Sequence, residues 1–219
     1  MIPVGDATRR PVHFPSVTLL VIASNLVVFL VELYAGDPFV SRWAVVPARV
    51  ASGHGWLTIV SAMFMHASWL HILGNMVFFW AFAPEIEDVM GPIRFLAFYI
   101  LGGAAATLTQ VFVDPASTVI NLGASGAIAA VMGAFLITFP RDRIRTILLI
   151  GFFIQVTLVP AILLVGLWFI MQVFSEVGSI ATSQAGGVAY MAHVGGFIFG
   201  VVAARVFETR KRRYEEGLE

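Results

Sequence analysis

The sequence predicts an all-α, polytopic membrane protein: six transmembrane helices packed as one bundle. Three observations carry this expectation. Of 219 residues, 59% are hydrophobic and only 12% are charged, about half the charged share of a soluble domain, so a water-facing surface cannot be covered. The mean hydropathy is +0.90. The apolar residues also gather in stretches of roughly 20, the length that crosses the hydrocarbon of a bilayer. The same composition excludes a disordered chain, which is poor in apolar residues. The absence of Cys excludes a disulfide scaffold and cysteine-based metal or redox chemistry. With 13 basic and 13 acidic side chains there is no basic excess for nucleic acid.

The spans follow in order. The first covers residues 17–35; its charged N-terminus is short and no small-residue cleavage site is seen, so it reads as a retained anchor. A polar stretch with Asp37, Arg42, Pro47, Arg49 and His54 leads to the second span, 68–83, which the acidic cluster Glu85, Glu87 and Asp88 closes. The third, 93–113, ends at Asp114 and Pro115, and the fourth, 122–139, stops at Pro140 and Arg141. The fifth lies within 147–174 and is placed at 156–174, because residues 144–157 suit the membrane interface equally well. The sixth, 186–207, precedes a short charged tail, 208–219, with the basic run Arg210, Lys211, Arg212 and Arg213. Residues 1–219 read as a single membrane domain without internal repeats.

The cations orient the bundle. With both termini in the cytoplasm, the inner segments hold 11 of the 13 Lys and Arg residues and the outer ones only Arg42 and Arg49, a strong positive-inside bias. The short form without added domains suggests a bacterial cytoplasmic membrane. Oligomeric state leaves no mark in the sequence.

Polar side chains inside spans are costly, which makes them functional candidates. His71 and Asn75 lie near the start of span two, one turn apart on one helical face. Ser125 lies near the start of span four, and His193 about two turns into span six. Even-numbered spans run inward, so all four groups fall at similar depth beneath the outer surface. Each has a plain structural reading: a serine can bond the carbonyl one turn back, and a histidine or asparagine can join helices. Together they offer a nucleophile, a base and oxyanion donors. Small residues show how they would meet. Ala192, Gly196, Gly200 and Ala204 form one stripe beside His193; Gly126, Ala130 and Ala134 form another beside Ser125. Small stripes let helix backbones approach closely.

At these residues the sequence resembles the rhomboid family of intramembrane serine proteases, over most of the chain from about Trp56 to Phe207. The run from Met63 to Asn75, with His66 and His71, resembles the family's second span and the loop before it. Glu87, Asp88, Gly91, Arg94, Phe95 and Tyr99 resemble the loop and span that follow. Gly123-Ala124-Ser125-Gly126 is similar to the nucleophile motif, and Ala192-His193 with Gly195, Gly196 and Gly200 to the histidine motif. The resemblance implies Ser125 as nucleophile and His193 as its base. It also implies His71, Asn75 and the Ser125 N–H as oxyanion donors, and a structural role for His66 in tying down the loop. Four residues after the serine, Ala129 stands where many members carry an aromatic that packs on the histidine, so Tyr190 or Phe197 is expected to hold the ring. Trp56 is followed by Leu57 where the family often has Trp-Arg, which leaves Trp43, Trp56 and Trp69 as candidate interfacial anchors.

The expected function is therefore an endopeptidase that cleaves single-span membrane proteins near the outer face of the bilayer by a Ser–His dyad, with no metal or organic cofactor. Residues 36–57 and the outer end of span five are the expected lids. The competing class is a small transporter or channel with His and Asn ligands, which predicts acidic residues at mid-membrane and broken helices in paired halves. Neither is seen, since Glu32 sits near a span end.

Overall fold

The computed structural model describes residues 1–150, 153–182 and 190–209. The chain is mostly helical. α1 (Ser16–Ala35) follows Pro15 and ends at Gly36, whose φ of 67° suits glycine. Two short helices, α2 (Asp37–Trp43) and α3 (Pro47–Ala51), lead to α4 (Thr58–Ser61) and a 3₁₀ turn at Ala62–Phe64. α5 (Trp69–Met90) starts where the Ser68 side chain accepts the His71 N–H at 3.2 Å, an N-cap that satisfies one of the free donors of the first turn. It stops at Gly91, φ 79°, and Pro92 opens α6 (Pro92–Val113), a glycine-then-proline junction that ends one helix and starts the next. α7 (Ser125–Thr138), α8 (Ala161–Thr182) and α9 (Tyr190–Phe207) complete the helices.

Three of these helices, α1, α6 and α9, are long and apolar enough to cross a bilayer. A fourth crossing exists if Thr58–Phe64 and α5, bent by 92°, act as one broken span. α7 and the apolar part of α8, Ala161–Met171, are shorter.

The all-α expectation is corrected by a three-stranded antiparallel sheet, β1 (Ile2–Asp6), β2 (Arg143–Ile150) and β3 (Phe153–Pro160), in the order β1-β2-β3. The reason is legible in Arg143-Ile144-Arg145-Thr146, whose period of two belongs to a strand: Ile144 and Thr146 are fully buried, while Arg143 and Arg145 are exposed. α8, the helix of the expected fifth span, thus begins at Ala161, not at 156, and continues to Thr182. Its first N–H donates to the Asp142 carbonyl at 2.8 Å.

α5, the helix of the expected second span, runs past the acidic cluster Glu85, Glu87 and Asp88. Glu87 is buried because it caps α1: its carboxylate accepts the N–H groups of Val17 (2.9 Å) and Thr18 (2.7 Å) and the hydroxyl of Thr18. A carboxylate at a helix N-terminus meets free donors and the positive end of the helix dipole. Asp88 accepts from the backbone of Val12 and His13.

α7 is the centre of the molecule, with every residue from Gly126 to Phe135 buried. α9 packs along one side of it, and Phe79, Phe82, Phe95 and Tyr99 of α5 and α6 fill the core around it. At the far end of α9, Arg94 donates to the carbonyls of Phe207 and Glu208 at 3.2 Å, and Glu208 accepts the Thr138 hydroxyl at 2.9 Å. The expected start of span six at Gly186 and the basic run Arg210 to Arg213 lie outside the described residues.

Candidate active site

The site is assembled at the N-terminus of α7. Asn121 bridges Val45, and the Gly123 N–H donates to the Ala62 carbonyl at 2.9 Å. These bonds hold the segment entering α7 in an extended path. Gly123 has a φ of +129°, in the region that favours glycine. A β-carbon there would also lie 2.9 Å from Cε1 and 3.0 Å from Nε2 of His71. The chain then turns into α7 at Ser125. The first N–H groups of a helix have no partner within it, so the start of α7 offers backbone donors beside the serine hydroxyl.

The two small-residue stripes face each other. A β-carbon on Gly196 would fall on the carbonyl oxygen of Gly126, one on Gly200 on that of Ala130, and one on Gly133 on that of Phe197. Only glycine lets α7 and α9 approach so closely. The contact brings His193 Nε2 to 2.7 Å from Ser125 Oγ, with His193 9% exposed.

His71 lies against Gly123, one residue from Ala124 and two from Ser125. Its ring meets the His66 ring edge-on, with centroids 5.0 Å apart. Asn75 Nδ2 donates to His66 Nε2 at 2.9 Å. An amide NH₂ has two donors, so one N–H of Asn75 remains for the cavity it lines. His66 is itself fixed: its backbone N–H donates to Glu32 Oε2 at 2.9 Å, and its ring packs edge-on to Phe29. Ser125, His193, His71 and Asn75 all line one cavity of about 430 Å³. Among the described residues, no group of three His, Asp or Glu could hold a metal ion.

Two residues at the site, Trp168 and Glu32, escaped the sequence reading. Trp168 of α8 lies beside the imidazole, centroids 5.8 Å apart and planes tilted by 55°. Tyr190 is at 6.4 Å, edge-on, on the same ring. Of the two expected ring-holders, Tyr190 is in place and Phe197 is not: it stacks on Phe169 at 4.3 Å. Glu32, near the end of the first span, is 5% exposed and holds the loop of His66. Its signal was an acid set in an apolar helix, where burial demands a partner.

The family model of the rhomboid domain matches residues 53–210, more than half of the chain, and takes in Ser125, His193, His71 and Asn75. The chain belongs to the rhomboid family. Among its curated relatives, the rhomboid protease GlpG of Yersinia pestis is 27% identical over 188 residues, which cover 85% of this chain and 61% of that one. The putative rhomboid protease YdcA of Bacillus subtilis is 33% identical over 87 residues, 40% of this chain and 43% of its own. The presenilin-associated rhomboid-like protein A of Danio rerio mitochondria is 30% identical over 123 residues, 55% of this chain and 29% of its own. The match thus spans less than two thirds of each relative. Family and apolar helices together make this rhomboid an integral membrane protein.

Proposed function

We propose that this rhomboid is a serine endopeptidase that hydrolyses peptide bonds within the bilayer, with Ser125 as nucleophile and His193 as general base. The observation that carries the reading is the 2.7 Å approach of His193 Nε2 to Ser125 Oγ, inside a cavity that also receives His71 and Asn75. A nucleophile within hydrogen-bond reach of its base is the geometric signature of acyl transfer.

The Ser125 Oγ–H bond breaks as Oγ bonds the substrate carbonyl carbon, and the proton moves to His193 Nε2. The tetrahedral oxyanion is received by the Ser125 N–H, His71 and the free N–H of Asn75. Collapse breaks the C–N bond, and the leaving amine takes the proton from His193. Water then repeats the sequence on the acyl-enzyme and frees Ser125. His66 and Glu32 act through the position of Asn75 and its loop. No step requires a metal or cofactor.

The substrate is a single-span membrane protein whose helix unwinds near the outer face, because a hydrogen-bonded helix hides its carbonyls from attack. A small residue on the N-terminal side of the cut fits the crowding at Gly123 and Gly126. The topology is a six-span bundle, with α7 and α8 as the short fourth and fifth spans and both termini in the cytoplasm. The positive-inside bias supports that orientation, and the membrane is the cytoplasmic one of a bacterium.

The test is a fluorophosphonate probe on the solubilised protein. Labelling at Ser125 that disappears in Ser125→Ala and His193→Ala supports the protease. An unlabelled wild type that still moves ions or solutes across vesicles returns the chain to the transporter class. Co-expression with tagged single-span proteins, wild type against Ser125→Ala, then identifies substrates.

A further inference from the structure

The sheet presents a surface that the helices leave uncovered. Strand pairing sets Ile2, Ile147 and Val156 in one row across the three strands, and Gly5, Arg145 and Leu158 in the next. Residues opposite one another share a face, as do residues two apart along a strand, so Arg143 and Ile154 belong to this face too. The opposite face carries Pro3, Ile144 and Thr146, all buried, and β1 packs on α5; it opens only toward the hairpin tip, at Gln155 and Phe153. The first face therefore looks outward. Val156 is 60% exposed and Ile154 is 74% exposed, with Ile2 and Leu158 also in the open.

The charges on it have one sign. Arg143 and Arg145 are exposed, and Arg141 precedes them, exposed in the turn after α7. The nearby acids are turned away: Asp6 pairs with Ile144 on the inner side, and Asp142 is buried and accepts from Arg9. The position is also set, because the Ala161 N–H bonds the Asp142 carbonyl. That bond ties the base of the hairpin to the point where α7 ends and α8 begins.

Among the described residues β3 is an edge strand. Its unpaired N–H and C=O groups cannot enter hydrocarbon, while its apolar side chains are poorly placed in water. The headgroup layer meets both demands, and an anionic one also matches the arginines. We propose that the β1-β2-β3 sheet docks on the anionic headgroup layer of the leaflet at the α7–α8 end. Ile2, Ile154, Val156 and Leu158 then face the acyl boundary, and Arg143 and Arg145 hold lipid phosphates.

The chain has no cysteine, so Ile154→Cys and Val156→Cys each accept a single environment-sensitive fluorophore. The full chain is reconstituted at low density in phosphatidylcholine vesicles containing phosphatidylglycerol. Docking gives blue-shifted emission at both sites, quenched by nitroxide lipids. In pure phosphatidylcholine, or in Arg143→Gln/Arg145→Gln, the docked fraction falls, by about fivefold in the equilibrium for each arginine. Water-like emission at both sites in the anionic vesicles overturns the proposal. Shielding that grows with protein density identifies a second copy as the occupant and also overturns it. Shielding found in native membranes but lost in the purified vesicles identifies a soluble partner, with the same consequence.

Discussion

Gly196 of α9 sits so close to Gly126 of α7 that a β-carbon on it would occupy the Gly126 carbonyl oxygen. The backbones touch at this point, and His193, three residues earlier, reaches Ser125 because they do. Gly196→Ala must force the helices apart. Overpacking of this kind costs about 1–3 kcal/mol, and a small shift is enough to open a 2.7 Å hydrogen bond. The expected outcome is a lower melting temperature together with loss of fluorophosphonate labelling. Gly166→Ala in α8 is the control: nothing lies within 4 Å of its added β-carbon, so melting and labelling should be retained.

Asn75 spends one amide N–H on His66 and keeps the other for the cavity. Asn75→Ala removes a proposed oxyanion donor; such a loss typically lowers kcat by about 10²–10³, while the Ser125–His193 contact is untouched. His66→Ala leaves the donor present but unanchored, so a smaller loss of kcat is expected. Turnover of a cleavable single-span substrate in detergent measures both. Equal losses would make Asn75 a packing residue.

Glu87→Gln tests the acid that the sequence treated as a helix terminator. Its carboxylate accepts from two backbone N–H groups and a hydroxyl at the start of α1. Hydrogen bonds to a charged group are worth about 1.5–3 kcal/mol, and the neutral amide can satisfy only part of the set. The melting temperature should fall while kcat at the far end of α5 changes little.

The legible part of the molecule was the part set by hydropathy and small-residue spacing. α1 and α6 match their expected spans to within one residue, and the facing glycine rows were readable because only glycine permits such contact. Three features were hidden. The strands were hidden because only residues 143–146 alternate with a strand's period while 147–160 are apolar enough for a helix, and pairing with β1, over 130 residues away in sequence, decided the outcome. Trp168 was hidden because nothing local marks a tryptophan on an apolar helix as a neighbour of a histidine on another. Glu32 was hidden because its partner is a backbone N–H, which every residue has.

Asp6 gives the inner sheet a pH dependence. Burial first, and then the neighbouring Asp142 carboxyl, push its pKa from 3.8 up to about 6. The folded chain therefore holds a proton that the unfolded chain has released, and this favours the fold as pH drops. Ionised Asp6 weakens the fold above pH 6, and the penalty is relieved as pH falls from 6 toward 3.8. Asp6→Asn should melt higher than wild type at pH 7.5, with the gap closing by pH 4.5. Thermal melts across that range check the sign, and a constant gap would remove Asp6 as its source.

Trp168 holds the imidazole that Ala129 cannot. Ala129 is fully buried and too small to reach the ring, whereas Trp168 lies 5.8 Å from it and Tyr190 supports another edge. Contacts with these two rings bear on the orientation of His193. An aromatic pair contributes about 0.5–1.5 kcal/mol, so Trp168→Ala should lower kcat by roughly tenfold at the upper end. KM should move little, because the proposed nucleophile and oxyanion donors stay in place. Trp168→Phe keeps a ring at the position and should restore most of kcat. A purely structural tryptophan would instead lower the melting temperature in both variants without separating kcat from KM. Steady-state kinetics and melting on the three proteins decide between these outcomes.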